Sequence, residues 1–257
     1  MKRAVCLLRD SIHYRKDAFC QGLRENGYEV LPGLQRPGEG DLLVIWNRYA
    51  GYDEVATSWE RCGARVLVTE NGYLGKDWRG GDWYSLAQGH HAGAGRWHDG
   101  GPSRWDAWGV ELAPWQPAGP ESLILAQRGI GEPGIASPDR WAETVQRRIG
   151  GRIRQHPGKV APKTTLQEDL QGVGQVVTWN SSAALHALLM GVPVWHDHDE
   201  WIGAPAAQNL KSWGSADSLR DDAARLFMFR RLAWAMWTLE EIRSGVAIAS
   251  VLAATGV

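Results

Sequence analysis

The sequence predicts an α/β protein of two doubly wound, Rossmann-like lobes facing a cleft. Three observations predict it. Short continuous apolar runs, suited to strands buried on both faces, alternate with amphipathic stretches long enough for helices. That alternation lapses between Gly75 and Gly119 and then restarts. The chain has 257 residues, enough for one large domain or two small ones.

Taken in order, Arg3–Leu8 (RAVCLL) is the first buried strand, and His13–Gly27 follows as a helix stopped by Gly27. Tyr28–Gly33 and Asp41–Asn47 read as the next strands. Tyr52–Gly63 reads as a second helix, and Ala64–Gly72 (ARVLVTENG) as a buried strand running into a turn. This β-α-β-β-α-β order is the grammar of a parallel sheet with helical crossovers. From Gly75 to Gly119 neither period holds, and Gly, Trp, Asp and His dominate. So long a lapse is functional or disordered, and its tryptophans argue against disorder. Ala113–Glu121 (APWQPAGPE) reads as a linker. Ser122–Gly131 is then a strand entering a glycine turn. Ser137–Gly151 is a helix with Ser137 as N-cap, Pro138 at its first position and Gly150 as stop. Arg152–Gly158 is a strand ending at His156-Pro157-Gly158. Gly174–Asn180 and Val192–Asp197 are strands flanking a short apolar helix that begins at Ser181-Ser182. Ser215–Gly245 closes as one or two long helices, with Leu226, Phe229, Leu232, Ala233 and Trp237 near helical spacing. The lobes are therefore expected at 1–116 and 117–257. Ligands of doubly wound sheets sit at the carboxyl ends of the strands.

Composition excludes several classes. A formal net charge of −1 advertises neither a nucleic-acid nor a membrane partner. Three widely spaced cysteines (Cys6, Cys20 and Cys62) with no CxxC pair argue for a reducing compartment and against a disulfide scaffold or structural zinc. The N-terminal apolar run is too short for a signal peptide, and no stretch approaches the roughly 20 residues of a membrane span. The expectation is a soluble cytoplasmic protein. Tryptophan is in excess, with 15 copies against 3 Phe, and six of them crowd the Gly-rich stretch. They either pack a core or form a stacking wall for a sugar or base.

Four short stretches carry candidate chemistry. Ser181 and Ser182, after Asn180, stand at a helix mouth, where unpaired amides suit a phosphate; ordinary capping is the competing reading. His156 and Pro157 end a strand inside a run of Arg147, Arg148, Arg152, Arg154, Lys159 and Lys163 with no acid among them. That run is a solvated face or an anion site. Gln127-Arg128-Gly129 follows a buried strand and is a phosphate-cradle candidate. Glu70 ends a strand before an Asn-Gly turn, placed either to cap the turn or to act as a partly desolvated general base. His90-His91 and the adjacent His196-Asp197-His198-Asp199 lack metal-site spacing, so no metal is expected.

ENGYL (Glu70–Leu74), HPG (His156–Gly158) and NSSAALHALLMGVPV (Asn180–Val194) resemble, in that order, three short motifs of bacterial sialyltransferases and the related capsule Kdo transferases. Those motifs are an acidic pair before Gly, then His-Pro, then Ser-Ser. The pair is Glu-Asn here, which leaves Glu70 as its one acid. The texture of GHHAGAGRW and GGPSRWDAWGVELAPW is also similar to small phage-encoded glycosyltransferase-like proteins. The resemblance implies a GT-B fold and a cytoplasmic nucleotide-sugar-dependent glycosyltransferase, in the host cytoplasm if phage-encoded. It implies an acceptor-side lobe at 1–116, and a donor-binding lobe with C-terminal helices at 117–257. Glu70 is then the base. By the resemblance His156, Ser181 and Ser182 hold the phosphate of a UDP- or CMP-sugar, with His156 also catalytic and Pro157 and Asn180 beside them in the same motifs; Gln127, Arg128 and Gly129 are expected to join them as the phosphate cradle read above. From the glycine- and tryptophan-rich stretch itself, Trp78, Trp83, His90, His91 and Trp97 are expected to shape the acceptor site. No further cofactor is required. The acceptor is a 5-hydroxymethyl-pyrimidine in phage DNA or a bacterial surface polysaccharide. The rival reading is a non-catalytic module that binds a glycan or nucleotide.

Overall fold

The computed structural model describes residues 2–91, 93–117, 119–214 and 220–254. Along the chain run β1 (Arg3–Cys6), α1 (Lys16–Glu25), β2 (Glu29–Leu31), β3 (Leu42–Trp46), α2 (Gly51–Arg61), β4 (Arg65–Asn71) and β5 (Trp83–Gln88). Next come α3 (Ser103–Trp108), β6 (Ser122–Leu125), α4 (Trp141–Ile149), β7 (Arg152–Arg154), α5 (Leu166–Leu170), β8 (Gln175–Thr178), α6 (Ala183–Leu189), β9 (Val194–His196) and β10 (Gln208–Asn209). The chain closes with α7 (Asp222–Ala233), β11 (Met236–Thr238), α8 (Leu239–Arg243) and α9 (Val246–Ala253). It divides into two compact units, Met1–Gly101 with Arg231–Val257, and Pro102–Arg230.

The first unit is a six-stranded sheet in the order β11-β5-β4-β3-β1-β2. β1 to β4 are parallel, β5 runs antiparallel to β4, and β11 antiparallel to β5. Alternation along β3 explains the two layers. Leu43 and Ile45 face Ala56 and Trp59 of α2, while Leu42 and Val44 share the opposite face with Phe19 and Leu23 of α1 and Ile248 of α9. Each fully buried Leu or Phe contributes roughly 1.5–3 kcal/mol. Gly22 of α1 lies against the backbone carbonyl of Ile242 in α8, where any side chain would collide.

The second unit is an all-parallel sheet in the order β10-β9-β8-β6-β7. Ile124, Val177 and Trp195 line one face, packed against Trp141 and Val145 of α4. At its edge, Asp169 of α5 receives Arg152 Nη1 at 2.6 Å, Thr164 Oγ1 at 2.9 Å, and Arg154. Asp169 is only 7 % exposed, so this pair of arginines holds β7 to a buried carboxylate. α5 begins with a capping box between Thr165 and Glu168.

Several expectations are corrected. The expected boundary at 116/117 lies inside the second unit, which already begins at Pro102, and the chain returns to the first unit after Arg230. The expected linker 113–121 is docked instead: Ala113 N donates to Leu189 O and Gln116 N to Gly191 O. Ala118 of that segment lies outside the described residues. The Gly75–Gly119 stretch contains a fully buried strand, β5, and the helix α3. α4 starts at Trp141 with Arg140 in the cap position, so Ser137 and Pro138 precede the helix rather than open it. Trp141 N donates to Pro138 O across that entry turn. The C-terminal run is not one or two long helices. Trp237 is a buried strand residue of β11, pairing with Tyr84, and residues 215–219 lie outside the described residues. Among the described residues, no helix is long and apolar enough to cross a membrane.

Candidate active site

The carboxyl ends of β1 to β4 form one edge of the first unit. Glu70 stands one residue from the end of β4, half-buried. Beside it, β3 ends at Trp46 and the chain turns through Asn47 with φ 55°. Asn47 N donates to Thr69 O at 3.1 Å, and Asn47 Nδ2 to Glu70 Oε1 at 3.5 Å. The next residue, Arg48, ties the edge together. Its side chain donates to Asp53 at 2.8 Å, to both oxygens of Glu60 at 2.9 Å, to Thr57 at 3.1 Å and to Gly89 O at 2.7 Å. Burial opposes the Arg48 charge, but Glu60 and Asp53 outweigh it and raise its pKa.

The loop after β5 folds back to this edge. Arg48 N donates to His91 Nδ1 at 3.0 Å, which leaves the neutral ring's proton on Nε2. His91 N donates to His90 Nδ1 at 2.9 Å, and the two rings stack 4.6 Å apart. Gly93 N donates to Tyr73 Oη at 3.1 Å. Burial and the Glu70 charge both push the Tyr73 hydroxyl well above its ordinary range. Glu70 thus influences Tyr73 directly, and Tyr73 is bonded into the loop that carries His90 and His91.

Of the tryptophans expected to stack on an acceptor, Trp83 and Trp97 are each 8 % exposed. Trp78 meets Trp83 edge-on at 5.3 Å. Trp97 donates to Arg231 O at 3.1 Å, and the Arg231 guanidinium lies 4.9 Å from its ring. Trp83 and Trp97 are packing residues, since neither presents an open face. An aromatic group that sequence reasoning missed lies at the sheet edge itself. Tyr14 and His13, in the loop after β1, sit 4.7 and 5.5 Å from Trp46 at the end of β3. Lys76 Nζ donates to His13 O at 2.7 Å, and Arg9 lies 6.0 Å from the Tyr14 ring. The available signal was position: a loop after a first buried strand lies at a ligand-binding edge.

In the second unit β8, β6 and β7 are neighbours, so the segments after them share one carboxyl edge. Gln127 and Asn180 stitch two of these segments together, with Gln127 Nε2 to Asn180 Oδ1 at 2.6 Å and Asn180 N to Gln127 Oε1 at 3.0 Å. The third joins through Gly158. An added Cβ there would lie 3.2 Å from His156 Nδ1 and 3.3 Å from Arg128 Cδ, so glycine permits both to close in. Gly158 N donates to His156 Nδ1 at 2.9 Å, which places the neutral ring's proton on Nε2. Burial lowers the pKa of His156, and the charges of Arg128 and Lys159 lower it further.

A cavity of about 350 Å³ opens at this edge, lined by Gln127, Arg128, Gly129, Ser137, Arg140, the first turn of α4, Gln155 and Lys159. Asp139 and Glu143 also reach its wall. Arg128 and Lys159 make no ion pair among the described residues. The cavity lining includes Gln127, Arg128 and Gly129 but not His156, Pro157, Asn180, Ser181 or Ser182. Ser181, one residue before the cap position, is engaged in a local turn, its Oγ accepting from Ala183 N at 3.2 Å, while Thr178 Oγ1 accepts from Ser181 N at 2.8 Å. Ser182 makes no side-chain cap bond and is exposed. Part of the basic run is engaged. Arg152 and Arg154 belong to Asp169, Arg152 also meets Glu121 at 3.1 Å, and Arg148 reaches Leu210 O at 3.5 Å. Among the described residues, no group of three or more His, Cys, Asp or Glu side chains is placed to hold a metal ion.

No family description and no curated protein matches the sequence. Solved structures do. One is Thermosulfurimonas dismutans KpsC, beta Kdo 2,7 transferase, with a TM-score of 0.57 and 10 % identity over 97 % of this chain and 99 % of that one. Another is Thermosulfurimonas dismutans KpsC, beta Kdo 2,4 transferase, with a TM-score of 0.55 and 13 % identity over 89 % of this chain and 90 % of that one. At these identities the likeness is one of fold, and it spans nearly the whole chain.

Proposed function

We propose that the chain is a GT-B-type glycosyltransferase that moves a sugar from a nucleotide-sugar donor to a hydroxyl of a bacterial surface polysaccharide. The observation that carries the reading is the gathering of Arg128, His156 and Lys159 at the carboxyl edge of an all-parallel sheet, beside the 350 Å³ cavity. Two cations without an ion pair among the described residues, and an imidazole that donates through Nε2, suit a departing phosphate. Preorganised donors aimed at developing charge supply the largest share of such catalysis. Ser181, Ser182 and the Gln127–Asn180 pair lie on the neighbouring segments and extend that donor site.

Glu70 takes the proton from the attacking hydroxyl, and His90, His91 and the Tyr14–Trp46 aromatics shape the acceptor side. A fold shared with two Kdo transferases supports the same class. A glycan is preferred to DNA as acceptor because Arg152 and Arg154 are tied to Asp169. The test is a thermal-shift and nucleotide-release screen with CMP-Kdo, CMP-N-acetylneuraminate, UDP-glucose and UDP-N-acetylglucosamine. One of these should raise the melting temperature and be slowly hydrolysed. A chain that binds one but never turns it over, with any acceptor glycan, is a binding module instead.

A further inference from the structure

We propose that Asn47 is a positioning residue for Glu70, its side-chain amide fixing the orientation of that carboxylate. The inference rests on the reading of Glu70 as the base, and it comes from three features of Asn47 itself. First, the residue sits at φ 55°, a left-handed conformation that glycine adopts without strain and most residues avoid. Second, it is 4 % exposed, and its Oδ1 is buried with no hydrogen-bond partner among the described residues. An unpartnered buried carbonyl is costly, so such a group calls for a reason. Third, its Nδ2 points at Glu70 Oε1, 3.5 Å away. A glycine would satisfy the turn without the buried, unpaired oxygen. What asparagine adds at this position is the N–H facing the carboxylate.

The surroundings hold the amide in place. Asn47 N is bonded to Thr69 O in the neighbouring strand, so the Asn47 backbone is locked to the residue before Glu70. On the other side Arg48 is pinned by Asp53, Glu60, Thr57 and Gly89, and its amide by His91. The titratable groups gathered around this corner are Arg48, Tyr73, His90 and His91, and Tyr73 feels the Glu70 charge. The amide thus joins a frame made rigid from two directions, and it passes that rigidity to Glu70.

The test needs no substrate. Protein labelled with [5-13C]glutamate is titrated by NMR, and the Glu70 signal is identified by its loss in Glu70→Gln. Asn47→Gly keeps the left-handed turn and removes the amide. Loss of a donor to the ionised form should move the Glu70 midpoint upward by about half to one pH unit. Asn47→Asp is nearly isosteric and puts a like charge beside Glu70. It should move the midpoint further, and it gives the reading should the glycine chain unfold. In transfer assays with the nucleotide sugar found by the screen above, the acidic limb of turnover should move by the same amount. A midpoint and an acidic limb unmoved in both variants would overturn the proposal. Transfer that survives Glu70→Gln would instead remove Glu70 as base, a distinct outcome.

Discussion

Replacing Asp169 by Asn should loosen the second unit and, with it, the segment that carries His156. The carboxylate is 8 % exposed at its side chain and accepts from Arg152 and Arg154, the first and last residues of β7. His156 follows two residues after Arg154. Asparagine keeps the volume but removes the charge, leaving two guanidinium groups facing a neutral amide. Breaking a buried pair from one side costs about 3–5 kcal/mol. Arg152 is 40 % exposed, so water screens its share, and Arg154 at 10 % carries most of the loss. The lower end, about 3 kcal/mol, is therefore expected. At roughly 2–4 °C per kcal/mol for a domain of this size, the melting temperature should fall by about 6–12 °C. Circular dichroism melts of the two chains measure it. Arg152→Ala is the control and should cost no more than about 1 kcal/mol. A melt within about 2 °C of the unsubstituted chain would show that the buried ion pair does not hold β7.

Three further outcomes are expected. His156→Ala should weaken binding of the nucleotide sugar found by screening about ten-fold or more while the fold survives, read by calorimetry. The folded His156 pKa is lowered, so the unfolded chain takes up that proton first on acidification. The stability His156 contributes is thus present above the ordinary histidine range and lost as pH falls through it; His156→Ala should flatten that part of the pH–melting curve. Cys20 is drawn down to about 7 by its hydrogen bond with Cys6, helped by Lys16 and Arg24, while Cys6 is pushed up. Iodoacetamide should therefore label Cys20 with a midpoint near that value and leave Cys6 unlabelled; equal labelling at pH 6 and pH 8 would refute it.

The strands built from continuous apolar runs were legible: LLVIW, RVLV, SLIL and QVVT need no context to read as buried. β5 was not, because WYSLAQ carries Ser85 and Gln88 within a glycine- and tryptophan-rich stretch. Its burial comes from β4 on one side and from β11, some 150 residues later, on the other. β11 hid for the same reason, as three residues between helical patterns. A local signal does mark the next element, since Thr238 and Glu241 form a capping box that opens α8 at Leu239. At the site, the strand-end positions of Arg128 and His156 were legible, and neighbouring parallel strands deliver the segments after them to one edge. Asn47 could not be foreseen, because its meaning depends on β3 lying beside β4 and on a backbone conformation no local pattern announces. Trp83 and Trp97 show the opposite failure, where composition suggested exposed stacking and packing absorbed the rings.

The most direct measurement of the central claim is single-sugar transfer. The chain and its Glu70→Gln variant are each incubated with the four nucleotide sugars and a capsule-type oligosaccharide, and the products are weighed by mass spectrometry. One donor should give a mass gain of one sugar residue. Turnover should be about 10²–10⁴-fold lower in the variant, with donor binding kept. An oligosaccharide that gains no mass from any donor, together with a chain that no nucleotide sugar stabilises, would contradict it.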